Sequence, residues 1–158
     1  GGKVDFESFS KAITEAVGGT EFVGATWYTD VQDDNRGLTL FLRHLSQVPG
    51  FSAVTAKRRG FSSTCMSCGD SRMVWEDTQT IAAMAADIVA KSQVSGMSEC
   101  DVMVVVATDP ALLRAIEYAT SRDKRVILAS WDGNGHHLLR SAVHSVLKLS
   151  DHVHKFIR

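Results

Sequence analysis

Apolar positions recur along the chain in two rhythms, one helical and one extended. Phe6, Phe9, Ile13 and Val17 are spaced to line one face of a helix, Asp5 stands at its N-cap, and Gly18-Gly19 ends the run. Phe22 to Tyr28 is β-branched and aromatic and predicts a strand, the polar stretch Asp30 to Asn35 a turn, and Leu38, Leu42 and Leu45 share a face of the next helix. Pro49-Gly50 breaks that helix, and Phe51 to Ala56 predicts a short strand that delivers Lys57-Arg58-Arg59 at its end. A polar insertion, 60–76, follows. Asp77 or Thr78 then caps a helix through Ile81, Met84, Ala85, Ile88 and Val89, closed by Gly96 and Ser98.

Val102 to Val106 is apolar at every position, the pattern of a central strand covered on both faces. Thr108-Asp109-Pro110 opens another helix, with Pro110 in the first turn and Leu112, Leu113, Ile116 and Ala119 as its buried stripe. Lys124 to Ala129 predicts a strand, Asp132-Gly133-Asn134-Gly135 a turn, His136 to Ser145 a helix and Val146 to Leu149 a last strand. Strands alternating with helices of this length form βαβ crossovers. The expected fold is therefore α/β, a mainly parallel sheet with helices on both faces, in one domain spanning 1–158.

Composition narrows the function classes. The longest clean apolar stretch is strand-sized, so no membrane span is expected. A net charge of -1 supplies no global field for polyanions, and a nucleic acid would have to be held by a local patch, for which Lys57-Arg58-Arg59 is the compact candidate. Three cysteines in 158 residues do not make a disulfide scaffold, which points to a reducing compartment and a cytoplasmic location. Neither a Gly-x-Gly-x-x-Gly fingerprint nor a Gly-Lys-Ser/Thr phosphate loop occurs, which disfavours nucleotide cofactors.

In open parallel sheets ligands gather beyond the carboxyl ends of the strands. That edge would hold Asp30, Lys57, Thr108, Asp109, Ser130 and Asp132. Asp109 admits two readings, an N-cap that satisfies backbone amides or an oxygen ligand for a hard cation such as Mg²⁺. Cys65-Met66-Ser67-Cys68-Gly69 has the spacing of a zinc knuckle but supplies two of the four ligands a structural zinc needs, and a plain surface loop is the simpler reading. His136, His137, His144, His152 and His154 follow no ligand spacing and are expected as solvated helix and tail positions.

The stretch from Val102 to Ser130 resembles the NYN domains of the LabA-like group, relatives of PIN nucleases. The resemblance is carried by the apolar strand, Ala107-Thr108-Asp109-Pro110-Ala111, the Ala-Ile-Glu-Tyr-Ala of Ala115 to Ala119, and Asp123-Lys124-Arg125-Val126. Lys57-Arg58-Arg59 followed by Cys65-x-x-Cys68-Gly69 is similar to the basic strand end and cysteine-pair insertion of some members, and the resemblance spans nearly the whole chain. It implies a three-layer Rossmann-like PIN/NYN fold, RNA as partner, and Mg²⁺- or Mn²⁺-dependent endoribonuclease chemistry. Within that reading Asp109 is the metal-side acid, Asp87 matches a second family acid, Lys57, Arg58, Arg59 and Thr108 face RNA, and Cys65 and Cys68 are candidate zinc ligands.

The departures are specific. Ile81 and Ala111 stand where the family carries acids, and the family's first strand, with its Asp, would lie upstream of Gly1. Asp33, Asp77 and Asp132 are candidate substitutes for the acids. Because that first strand lies mid-sheet in the family, the chain is expected either to be a fragment or to have the gap filled by another segment, a partner or a second copy. Two further readings stand beside a nuclease. One is a catalytically degenerate domain that binds RNA or protein; the other is a Rossmann-like small-ligand domain, against which the missing glycine fingerprint counts.

Overall fold

The computed structural model describes residues 3–31, 35–76, 78–93 and 100–157. Helix α1 (Phe6–Ala16) is capped as its sequence predicts, with the Asp5 carboxylate accepting from the Ser8 amide at 2.9 Å. Strand β1 (Ala25–Val31) begins three residues later than the β-branched run suggested. Phe22 stays outside the strand because its ring packs on Phe51, with centroids 5.4 Å apart. The same ring occupies the space where a Cβ on Gly50 would stand, 2.9 Å away, and Gly50 has φ +80°. Only glycine fits that turn.

Helix α2 (Arg36–Leu45), capped by Asn35, buries Leu45 fully and leads to β2 (Phe51–Lys57), which pairs parallel with β1. The polar insertion proves to be structured: β3 (Arg59–Thr64) and β4 (Ser71–Glu76) form an antiparallel hairpin separate from the other sheets. Its residues are exposed on both faces, so no alternation of apolar and polar positions betrayed it in the sequence.

Helix α3 (Thr78–Gln93) precedes β5 (Val102–Val106), which is followed by a 3₁₀ turn (Pro110–Leu112), α4 (Leu113–Ser121) and β6 (Arg125–Ser130). Helix α5 (His137–Ala142), shorter than predicted, β7 (Ser145–Lys148) and a 3₁₀ segment (Leu149–Lys155) complete the order. The predicted acids Asp33 and Asp77, and Gly96 and Ser98 at the helix end, lie outside the described residues.

The second parallel sheet runs β5-β6-β7, with β6 in its middle. This corrects the expectation that Val102 to Val106 is the central strand. Among the described elements β5 is an edge, and Val106 is 53% exposed, whereas every residue of β6 from Val126 to Ser130 is buried. The main core joins Met103, Val105, Val126 and Leu128 to Ile88 of α3, to Leu112, to Ala115, Ile116 and Ala119 of α4 and to Leu139 of α5. On the opposite face of the sheet Ile13 of α1 packs with Ala129 and Leu149, beside Phe9 and Val104. Helices thus cover both faces of this sheet. Among the described residues no helix is long and apolar enough to cross a membrane.

Helices α1 and α3 also reach the other parallel sheet. Phe6 of α1 meets Phe51 of β2 edge-on at 5.4 Å, and α3 packs on β1 and β2. The mixed α/β fold therefore holds two parallel sheets between shared helices, with no described strand pairing joining β1 to β5.

Candidate nucleic-acid interface

Two side chains on one face of β1 dock on α3. The Tyr28 hydroxyl donates to the Asp87 carboxylate at 2.6 Å, and two residues further along, Asp30 accepts from the Thr80 hydroxyl at 3.2 and 3.3 Å. Seven helical residues, about 10 Å of axis, separate Thr80 from Asp87, so α3 runs against β1 and brings its amino end to the strand's carboxyl edge. Thr80 is only 6% exposed, which makes this a built contact of the edge. Burial, reinforced by the Asp87 carboxylate, holds the Tyr28 phenol well above its ordinary range.

The basic residues lie at the same edge. Lys57 ends β2 opposite Val31, one position beyond the Asp30–Ala56 pair, and the Arg58 amide donates to the Val31 carbonyl at 3.2 Å. The Arg58 guanidinium lies 5.6 Å from the centre of the Trp75 ring, a cation–π contact between the root of the hairpin and its returning strand. Phe61, Arg72 and Trp75 are exposed on the same hairpin. The result is a projecting arm with cations at its base and aromatic rings along it.

Asp109 is where the sequence places it, directly beyond β5, and its carboxylate accepts from the Ala111 amide at 2.8 Å. It acts as the N-cap of the 3₁₀ turn and remains partly exposed, with Thr108 exposed beside it. Beyond β6, Asp132 accepts from the backbone and side-chain amides of Asn134 at 3.0 and 2.8 Å, which hold its carboxyl below the usual range. Asp87 is engaged by the Tyr28 hydroxyl. Among the described residues no three His, Cys, Asp or Glu side chains come together as a metal-binding group.

Cys65 and Cys68 occupy the tip of the hairpin, both exposed and both free thiols. The Ser67 hydroxyl lies 3.0 Å from the Cys65 sulfur. That hydroxyl, with the amides of Cys68 and Ser67, pulls the Cys65 thiol down to about 6.

The Asp30–Thr80 and Tyr28–Asp87 pairs were missed by sequence reasoning. Nothing local in the chain announces either; a strand polar residue next to a buried helix hydroxyl becomes visible only once β1 and α3 are docked. The histidines follow their predicted pattern in part. His152 and His154 sit in the terminal 3₁₀ segment, but the His144 imidazole accepts from the Val126 amide at 3.2 Å, and His136 caps α5 by accepting from Leu138.

No protein-family model matches the chain, and no curated protein does. It is similar in fold to the crystal structure of a protein of unknown function from Vibrio parahaemolyticus, with a TM-score of 0.62 and 16% identity over 99% of this chain and 83% of that one. The likeness establishes the mixed α/β fold.

Proposed function

We propose that this chain is an RNA-directed domain of the NYN/PIN-like kind, in a three-layer Rossmann-like arrangement. The observation that carries the reading is the basic and aromatic arm at the carboxyl edge: Lys57, Arg58 and Arg59 at its root, with Arg58 on Trp75 and with Phe61 and Trp75 exposed. Cations at the base of a strand edge suit phosphates, and exposed rings suit unstacked bases, the combination used for single-stranded nucleic acid. The separation of the two parallel sheets adds support. One strand laid between β1 and β5, from another segment, a partner or a second copy, would pair both edges and join the sheets under the helices they already share.

Asp109, beside Thr108, is the metal-side acid of this reading. Bound there with substrate phosphates, Mg²⁺ or Mn²⁺ would supply activation of water and stabilisation of the leaving oxygen. A second reading, RNA binding without cleavage, is favoured by Asp87 being engaged with Tyr28 and by Ile81 and Ala111 at family acid positions.

One pair of assays separates these. Replacing Lys57, Arg58 and Arg59 together by Ala should weaken binding of labelled single-stranded RNA at least about tenfold at low salt. It should also flatten the dependence of log K on log salt by about 2, since each lost phosphate contact removes roughly 0.7. Unchanged affinity and slope would sink the RNA reading. Mn²⁺- or Mg²⁺-dependent cleavage that disappears in Asp109→Asn while binding persists identifies the nuclease; binding without cleavage by folded protein selects the second reading.

A further inference from the structure

We propose that the hairpin tip is half of a zinc site, completed by the same tip of a second copy of the chain, so that one Zn²⁺ is held by Cys65 and Cys68 of both. The inference is independent of the RNA reading and rests on the geometry of residues 65–70.

The tip is closed by two backbone hydrogen bonds, Cys65 N–H to the Asp70 carbonyl at 2.8 Å and Gly69 N–H to the Cys65 carbonyl at 2.9 Å. Gly69 takes φ +69°, the left-handed conformation that lets the chain turn back immediately after the second cysteine. Within this closure the Ser67 hydroxyl lies 3.0 Å from the Cys65 sulfur, with Cys68 on the same turn. Two thiolates on one tetrahedral zinc, each about 2.3 Å from the metal, stand about 3.8 Å apart, a separation within the reach of two cysteines spaced three positions apart in one tight turn. Amides donating to a ligand sulfur are the outer contacts that orient and stabilise a metal-bound thiolate.

Two sulfurs fill half of zinc's coordination. The third cysteine, Cys100, lies before β5 on the main body, and no third His, Cys, Asp or Glu joins the pair among the described residues. The missing ligands must come from outside this hairpin. The tip is open to a second copy: residues 65–70 are all exposed, Met66 completely, and no residue of the hairpin belongs to either core cluster. Two such tips related by a two-fold axis through the metal supply four equivalent sulfurs, and each copy contributes the same pair. Formation of the site displaces any remaining thiol protons to solvent and involves no change of oxidation state.

The test uses the full chain, reduced, stripped with a chelator and titrated with ZnCl₂ alone, while zinc content and molar mass are followed by elemental analysis and light scattering. The expected result is one zinc per two chains, doubling of the mass, and return to the starting mass on chelation. Cobalt in place of zinc should give the intense visible bands of a tetrahedral thiolate site. Cys65→Ser and Cys68→Ser should each lose the metal and the doubling while keeping the circular dichroism of the parent, because neither residue touches a core. Asp70→Asn should keep both. No zinc uptake, one zinc per chain without doubling, or tight zinc retained by Cys65→Ser would each overturn the proposal, and loss of zinc in Asp70→Asn would replace the tetrathiolate by a carboxylate site.

Discussion

The two parallel sheets of this protein are made from strands of similar length and have opposite tasks. In β5-β6-β7 the middle strand is buried from Val126 to Ser130, and helices on both faces bring Ile116, Leu112 and Leu139 to zero or near-zero exposure. In β1-β2 no strand residue reaches that burial; Trp27 is substantially exposed, and polar side chains such as Tyr28 and Asp30 spend their face of the strand on hydrogen bonds to α3. The first sheet is held by packing, which tolerates no polar residue at its centre. The β1-β2 sheet adds directional contacts to its aromatic packing, which leave ionisable groups at its carboxyl edge, and it carries the arm with the basic residues and the cysteines.

The sharpest way to break that contrast is to remove equal side chains from each half. Leu128→Ala, at full burial in β6, should cost about 3–4 kcal/mol through lost transfer energy and an unfilled cavity. Leu40→Ala, on the exposed side of α2, should change stability by no more than about 0.5 kcal/mol. Urea unfolding followed by circular dichroism measures both, and equal losses would show that the β1-β2 half is packed as tightly as the β5-β6-β7 half.

The same contrast explains what was legible in the sequence. Amphipathic spacing marked α1, α2, α3 and α4 because burial of one face decides a helix, and the caps at Asp5 and Asp109 were visible because the residue that makes them is adjacent to what it caps. The run Val102 to Val106 announced a capacity for burial but could not say which strands flank it, and pairing of β6 with β5 on one side and β7 on the other made β6 the middle strand instead. The hairpin left no period because neither face is covered. The Asp30–Thr80 and Tyr28–Asp87 pairs bridge 50 and 59 residues, so only the docking of α3 creates them. Of the candidate site, the isolated motifs were readable, namely the basic triplet, Asp109 and Cys-x-x-Cys-Gly; the contacts that engage Asp87 and Asp30 were not.

Tyr28→Phe tests whether directional contacts do hold the β1-β2 half. The 2.6 Å bond to a carboxylate is charge-assisted, and its loss leaves Asp87 partly buried without that donor, so about 1.5–3 kcal/mol should be lost at neutral pH. The pH dependence follows from the raised phenol. Because the folded value lies above the ordinary value of 10.0, the contribution is complete below about pH 10 and fades as pH rises through the folded value. The stability gap between parent and variant should therefore be constant from pH 7 to 9 and narrow above 10. A gap that does not narrow would mean that the phenol is no harder to ionise in the folded chain than in the unfolded one.

The smallest effect is kinetic and belongs to the arm. In metal-free protein the thiol of Cys65, drawn down to about 6 first by the Ser67 hydroxyl and then by the amides of the turn, should be largely thiolate at pH 7. Its alkylation by iodoacetamide, followed residue by residue by mass spectrometry, should rise through pH 6 and level off near 7. Ser67→Ala removes the leading cause while keeping the turn amides, so the profile should move to higher pH and the rate at pH 6 should fall several-fold. Above pH 9, where both thiols are ionised, the order should reverse or vanish, because a less acidic thiol gives the more nucleophilic thiolate. A rate lowered equally at every pH would mean that Ser67 shapes access to the sulfur and not its charge.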